Sequence, residues 1–179
     1  MNIERKKLIL IAAGVTVFVV VGAALIYFVP FRDAAIEKAV DTRPTPRNAY
    51  EVAFPVAQVW RADAQLAFLQ SLDAVGETGR GNAWRFIFTS PHPSMNNQGY
   101  VIEVQNQAVT TTHGMQYRGF GAEFPAFLLA QDIAIARVHQ IKGYEREQIT
   151  GIEAVYGPKE KTWYWGVRTP KGVVSVEAR

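Results

Sequence analysis

The chain has 179 residues, of which 49% are hydrophobic and 20% are charged, and its formal net charge at pH 7 is +3. The absence of cysteine excludes disulfides, thiolate nucleophiles and cysteine metal ligands. Because the charges are interspersed and form no block of five or more like charges, the sequence predicts no nucleic-acid partner.

The first strong feature is an uncharged run over residues 8–29, LILIAAGVTVFVVVGAALIYFV. As a helix rising about 1.5 Å per residue, this run is long enough to cross a hydrocarbon core of about 30 Å. We therefore predict a basic tail at residues 1–7 and a transmembrane helix at residues 8–29 that contacts membrane lipid. Residues chosen to represent the anchor are Leu8, Phe18, Gly22, Tyr27 and Phe28, the last two suiting an interfacial aromatic belt.

A cleaved secretory signal is the alternative, because small residues at 22–24 follow a short basic start. The apolar run continues past Ala24, which favours retention as an anchor. The cluster at residues 5–7 places the amino terminus in the cytoplasm and the carboxyl-terminal domain in the periplasm or another extracytoplasmic space. Arg43 and Arg47 reduce this charge bias, so a cytoplasmic domain stays open.

Residues 30–49 are predicted to be a juxtamembrane segment and a linker interrupted by prolines, with the domain beginning near Tyr50. In the first half, residues 50–123, a short extended segment at 52–54 precedes a helix from Pro55 to about Ala74. Its apolar residues recur at helical spacing, as at Leu66 and Leu69.

From Trp84 the apolar period changes to two, which predicts strands at residues 84–89 and 100–105. These strands form an antiparallel hairpin whose loop contains Asn96 and Asn97. Loops of this length bind partners, so both asparagines are candidate interface residues. The segment at residues 110–121 receives no assignment.

In the second half, residues 124–179, a helix is predicted from Pro125 to Lys142 and ends before Gly143. Three strands follow at residues 149–156, 162–168 and 173–178. The two halves share their order and punctuation, and this similarity predicts an α+β fold of two helix-plus-antiparallel-hairpin units. Paired landmarks are Phe54-Pro55 with Phe124-Pro125, and Trp84 and Ser90-Pro91 with Trp163 and Thr169-Pro170.

The second half resembles a PepSY-type domain. The likeness is carried by a helix that ends in glycine, IAIARVHQIKG at residues 133–143, and by the segments ITGIEAVY at 149–156, WYWGV at 163–167 and GVVSVEA at 172–178. PepSY domains are small, often extracytoplasmic and frequently attached to a membrane span. The resemblance implies protein interaction or restraint of a peptidase, and the repeat extends it to a tandem PepSY-like arrangement.

No catalytic, cofactor or metal site is predicted. The three histidines, His92, His113 and His139, lie far apart and in no metal-ligand spacing. The serines lack a nucleophile-elbow motif, and the glycines at 76, 79 and 81 follow a predicted helix where a phosphate loop precedes one. Glu145 and Glu147 are interpreted as a solvated connection.

The tryptophans are the remaining candidates for function. Most are expected in the core, but aromatic residues dominate interface hot spots, and Trp60, Trp84, Trp163 and Trp165 join the asparagines as candidate interface residues. We hypothesise a non-catalytic, single-pass accessory or scaffolding subunit of a larger membrane complex, such as a respiratory or photosynthetic one. Its span and its outer domain both contact integral membrane partners. The alternative is a free-standing PepSY-like module that senses or inhibits an extracytoplasmic peptidase.

Overall fold

The computed structural model of the chain describes residues 40–124 and 130–178. All of these except Val40 belong to one compact unit, Asp41–Arg179. The predicted transmembrane helix and its five representative anchor residues lie outside the described residues. In the two described ranges, no helix is both long enough and apolar enough to span a membrane.

The described residues form an α+β domain, as the sequence predicts, with two α-helices and a seven-stranded antiparallel sheet. The helices are α1 (Pro46–Trp60) and α2 (Gln131–His139). The strands are β1 (Gln65–Ser71), β2 (Ala83–Thr89), β3 (Gln98–Gln105), β4 (Ala108–Gln116), β5 (Gly151–Gly157), β6 (Thr162–Thr169) and β7 (Gly172–Glu177). Short 3-10 helices lie at Gly76–Thr78 and Pro93–Met95.

The sheet order is β4-β3-β2-β1-β5-β6-β7, so each half of the chain runs outward from a central antiparallel pair, β1 and β5. The two strands meet over Phe68–Gln70 and Glu153–Val155, and the buried Ser71 Oγ accepts a hydrogen bond of 3.1 Å from Ile152 N. Helix α1 packs against β2 and β3, and α2 packs against β6 and β7. The edges of the sheet are therefore β4 and β7.

The core is rich in aromatic side chains. Every second residue of β2 from Trp84 to Phe88 is aromatic and fully buried, namely Trp84, Phe86 and Phe88. Trp165 on β6 is 2% exposed. Such burial contributes about 2–3 kcal/mol for each large side chain. Phe124 meets Trp163 edge to face, with ring centroids 6.0 Å apart, and its ring also lies 4.6 Å from that of Tyr50 on α1, so Phe124 joins the aromatic residues of the two halves.

The predictions of a linker up to residue 49 and of a first helix from Pro55 to about Ala74 are wrong, because the helix begins earlier and ends earlier. Thr45 caps α1 by a capping box with Asn48, and the helix then begins at Pro46, where a proline at the first turn costs no hydrogen bond. Residues 52–54, predicted to be extended, lie inside this helix. Pro55, predicted to start it, also lies inside α1 and is exposed there.

The second part of the predicted helix is strand β1. A bulge between Leu66 and Phe68 shifts the register, so that Leu66 and Leu69 both point into the core although they are three residues apart. This spacing is the same as that of neighbours on a helix face. A bulged strand therefore produced the helical pattern on which the prediction depended.

The five predicted strands are confirmed as β2, β3, β5, β6 and β7, and the β2–β3 hairpin is antiparallel. Helix α2 is shorter than predicted, because it ends at His139, and residues 125–129 lie outside the described ranges. Gly143 has the left-handed φ of 91° expected after a helix. The unassigned segment, residues 110–121, contains most of β4.

Residues 41–45 are fixed to the domain by a group that we call the Arg43 clamp. The Arg43 guanidinium donates hydrogen bonds to Ala74 O (2.8 Å), to Val75 O (3.1 Å) and to both carboxylate oxygens of Asp41. Thr78 Oγ1 donates to Asp41 from the other side. The hydrogen bonds from Arg43, reinforced by Thr78, hold the pKa of Asp41 well below its ordinary value.

Candidate functional site

A cleft of about 490 Å³ lies at one end of the sheet, and we call it the end cleft. Its walls are the β2–β3 loop and the segment that follows β4. The lining residues are Gln65, Thr89, Ser90, Pro91, His92, Pro93, Met95, Asn96, Asn97, Gln98, Tyr117, Arg118, Gly119, Phe120 and Gly121. Both candidate asparagines of the hairpin loop therefore line it.

Local hydrogen bonds hold the β2–β3 loop in one conformation. Ser90 Oγ donates to the carboxylate of Asp63 at 2.8 Å and accepts a bond of 3.1 Å from His92 N. His92 then caps the 3-10 turn through its Nδ1, which Ser94 N approaches at 3.3 Å. Asn97 closes the loop with a left-handed φ of 60°, which asparagine tolerates better than most residues.

The opposite wall depends on two glycines. A Cβ added at Gly121 would lie 2.5 Å from Thr89 Oγ1, and one at Gly119 would lie 2.3 Å from the Tyr117 ring. Because glycine has no side chain, the segment after β4 can fold over the end of the sheet. There, Ala122 N donates a hydrogen bond to Leu66 O at 2.8 Å. Burial raises the pKa of the Tyr117 phenol in this wall.

Trp60 lies beside the end cleft. Its ring stacks on Tyr100 of β3 with centroids 5.0 Å apart and an interplanar angle of 9°. The next residue, Arg61, places Nη2 2.8 Å from Sδ of Met95, which is a buried residue of the cleft loop. The end of α1 that carries Trp60 therefore contacts the loop that carries Asn96 and Asn97.

The other three candidate tryptophans are in the core. Their exposed fractions are 0% for Trp84, 4% for Trp163 and 2% for Trp165, and Trp84 Nε1 donates to Gly81 O at 2.9 Å. A partner cannot reach these rings without unfolding the domain. The sequence expectation that most of the tryptophans are core residues agrees with this burial, and Trp60 is the one that stays half-buried.

A smaller pocket of about 280 Å³ lies between α1 and the segment at residues 122–123, and it shares Gln65 with the end cleft. Tyr50 and Phe54 form its aromatic wall, and their rings stack at 5.2 Å. Burial raises the pKa of Tyr50 to about 12. A phenol with this pKa stays protonated near neutral pH. The lining also includes Asp63 and Glu123, so the pocket combines an aromatic wall with acidic groups.

The end cleft contains groups that resemble catalytic ones, but their arrangement is that of a structured turn. His92 Nδ1 lies 2.8 Å from Ser94 Oγ, two residues along the chain, while Asp63 binds Ser90 rather than the imidazole. In a nucleophile–base–acid arrangement, the carboxylate orients the imidazole. These contacts instead cap and brace the loop.

His139 and Glu147, two of the polar residues discussed above, make structural contacts. His139 lies 2.9 Å from Tyr144 O through Nδ1 and 2.9 Å from Glu77 through Nε2, which ties α2 to the Gly76–Thr78 turn. Glu147 pairs with Lys171 at 2.7 Å. Within the described ranges, no cluster of three or more histidine and carboxylate side chains is arranged to hold a metal ion.

Sequence reasoning identified one wall of the end cleft and missed the other. The β2–β3 loop stands out by its length between two alternating strands, whereas residues 117–121 belong to a stretch that received no assignment. The close pair Gly119 and Gly121 was the available signal, because glycine often marks a close backbone approach. No protein-family model, curated protein or solved structure matches the chain.

Proposed function

We propose that this protein is a non-catalytic, membrane-anchored accessory subunit whose outer domain docks onto a larger membrane protein complex through the end cleft and Trp60. The observation that carries the proposal is the meeting of a braced polar loop, a cleft and a half-buried tryptophan at one end of the sheet. In this reading the span at residues 8–29 makes a second contact with integral membrane partners, and the domain is extracytoplasmic.

The bracing of the loop favours binding. A loop that is already ordered loses little conformational entropy when a partner arrives, so more of the contact energy appears as affinity. Ser90, His92 and Met95 take part in bonds within the loop or to α1, while Asn96 and Asn97 stay exposed with free amide side chains facing solvent.

The residues that line the end cleft are chemically suited to binding a segment of a partner protein. Of the lining residues, Arg118 is the only one with a full charge, and the others are uncharged polar, aromatic or small. Phe120, which is 65% exposed, and Trp60 supply aromatic anchors at the rim. Large amphipathic rings beside adaptable amide groups are the combination that protein interfaces favour.

The proposal is tested by purifying the tagged full-length protein from membranes in mild detergent. Trp60→Ala and Asn96→Ala should lose the co-purifying complex while the domain stays folded. Asn97→Gly removes the amide without straining the left-handed backbone, which Asn97→Ala would do. Val59→Ser is the matched control, because Val59 is 90% exposed on the same helical turn. Retention of the complex by all three test variants would contradict the proposal.

A second candidate function is a free-standing PepSY-like binding module that senses or inhibits an extracytoplasmic peptidase. What supports it is the order of elements, since α2 precedes a three-stranded antiparallel meander, β5–β7, and α1 precedes a comparable one, β1–β3. A tandem PepSY-like repeat has this order. The two candidates differ in the span: a subunit requires a specific helix surface, whereas a tether tolerates replacement by another apolar helix of equal length.

A further inference from the structure

The edge strand β4 is covered by almost none of the residues that the structure describes. Eight of its nine residues are exposed, Val109 being half-buried, and the strand is exposed on both faces of the sheet. Natural edge strands are commonly blunted by charges, prolines or bulges, because unpaired backbone groups attract another strand. Here a single bulge at Thr110 lies near one end, where Val109 and Thr111 pair with the adjacent residues Val104 and Glu103.

The composition of this edge is also distinct. Between Glu103 and Arg118 the sequence contains no aspartate, glutamate, lysine or arginine, in a chain that is 20% charged. Three consecutive threonines, Thr110–Thr112, give the strand high β propensity. A second copy of the same strand placed alongside would therefore oppose no like charges.

The hydrogen-bond alternation shows which backbone groups are available. Tyr117 N donates a hydrogen bond to Asn97 O at 2.9 Å. In an antiparallel pair the backbone groups alternate in direction, so the N–H and C=O groups of the odd-numbered residues just before Tyr117 point toward β3, and those of the even-numbered residues point away from it. The backbone N–H and C=O of Thr112 thus point away from β3, and Thr112 is also the midpoint of Ala108–Gln116. An antiparallel pair centred on Thr112 overlaps the whole strand, and it satisfies the two-fold symmetry of a dimer.

The side chains fit this register. The bulged residue Thr110 would lie opposite Gly114 of the other copy. A Cβ added at Gly114 meets nothing within 4 Å, and its φ is not positive, so the domain itself requires glycine there for neither space nor conformation.

We infer that the protein forms a symmetric homodimer by antiparallel pairing of its β4 strands about Thr112, which joins the two sheets into one. This surface is separate from the end cleft and leaves Trp60, Asn96 and Asn97 available. Failure of the docking proposal would not affect it, since the partner here is a second copy of the chain.

Cysteine scanning on the full-length protein tests the register, because the chain contains no cysteine of its own. With a short bis-maleimide, Thr112→Cys should give a product of twice the 19.9 kDa chain mass. Ala108→Cys is the matched control. Its thiol would lie eight residues from its counterpart, about 27 Å along an antiparallel pair, and should not be linked. Equal linking at both positions would overturn the register.

Charge reversal tests the pairing itself. Thr112→Lys and Thr112→Glu should each weaken self-association about fivefold or more, since like charges then lie directly opposite. An equimolar mixture of the two should restore it, and Thr112→Val should leave it unchanged. All four preparations should keep the tryptophan fluorescence of the folded protein, because the Thr112 side chain is exposed.

Sedimentation of the wild-type chain decides between the remaining outcomes. Concentration-dependent dimers that the mixed variants also form would support the inference. A monomer at every concentration, or a Thr112→Cys product that contains only a different protein, would overturn it. A folded mixture of the lysine and glutamate variants that stays monomeric would overturn it as well.

Discussion

Replacing Arg43 by alanine is expected to destabilise the domain, although Arg43 lies in a segment that the sequence presents as a linker. The substitution removes hydrogen bonds to two backbone carbonyls, of Ala74 and Val75, and separates Asp41 from its cation. The side chains of Arg43 and Asp41 are 34% and 16% exposed, so the freed groups become partly rehydrated. Four side-chain bonds at about 1 kcal/mol net each would give about 4 kcal/mol, and rehydration of the freed groups reduces the expected decrease in the free energy of unfolding to about 2–3 kcal/mol.

The assay is equilibrium unfolding of the full-length chain followed by tryptophan fluorescence, to which the buried Trp84 and Trp165 contribute. A loss of this size corresponds to a fall in Tm of about 6–10 °C for a domain of this length. Arg146→Ala, an exposed arginine in the α2–β5 connection, is the control and should change Tm little. If Arg43→Ala unfolds within about 0.5 kcal/mol of the wild type, the segment is a linker after all and the clamp contributes nothing.

The same clamp gives the stability a pH dependence. Because the folded-state pKa of Asp41 is lowered, its contribution is complete above the ordinary value of 3.8 and is lost as the pH falls below it. The wild type should therefore lose stability below about pH 4 more steeply than Asp41→Asn, which lacks the titrating carboxylate. Parallel acid profiles of the two proteins would contradict this assignment.

Trp84→Ala should cost about 3–5 kcal/mol because it empties a fully buried site, whereas Trp60→Ala should cost less than about 2 kcal/mol, mainly the stack on Tyr100; denaturant unfolding distinguishes them. Gly121→Ala should be destabilising, since its Cβ would lie 2.5 Å from Thr89 Oγ1, while Gly114→Ala should leave Tm equal or slightly raised. The predicted span requires that alkaline carbonate leave the full-length chain in the membrane pellet; an intact mass that begins near Leu25 would show a cleaved signal instead.

The fold was predictable where one residue type alternates on a regular strand. Trp84, Phe86 and Phe88 are large apolar residues at every second position, and this period of two predicts β2 directly. Strand β1 was not predictable in this way, because its bulge converts a period of two into a spacing of three at Leu66 and Leu69. Strand β4 carries no alternation, since both of its faces meet solvent.

The site was predictable in part for a related reason. A loop between two clear strands identifies Asn96 and Asn97, but only tertiary packing decides which tryptophans stay near the surface. Trp60 ends a helix and Trp163 lies in a strand, and nothing in the neighbouring sequence separates the half-buried ring from the buried one. The Arg43 clamp depends on carbonyls about thirty residues away, which no local pattern reveals.

Photo-crosslinking in native membranes tests the central claim most directly. A benzophenone amino acid at Asn96, on the end cleft, should link the full-length chain to a membrane protein partner. The same probe at Ala136, an exposed position on α2 in the second half, should not. Combining the Asn96 probe with Trp60→Ala should abolish the product, and combining it with Val59→Ser should preserve it. Equal products from both probe positions, or an Asn96 product that is insensitive to Trp60→Ala, would contradict docking through the end cleft.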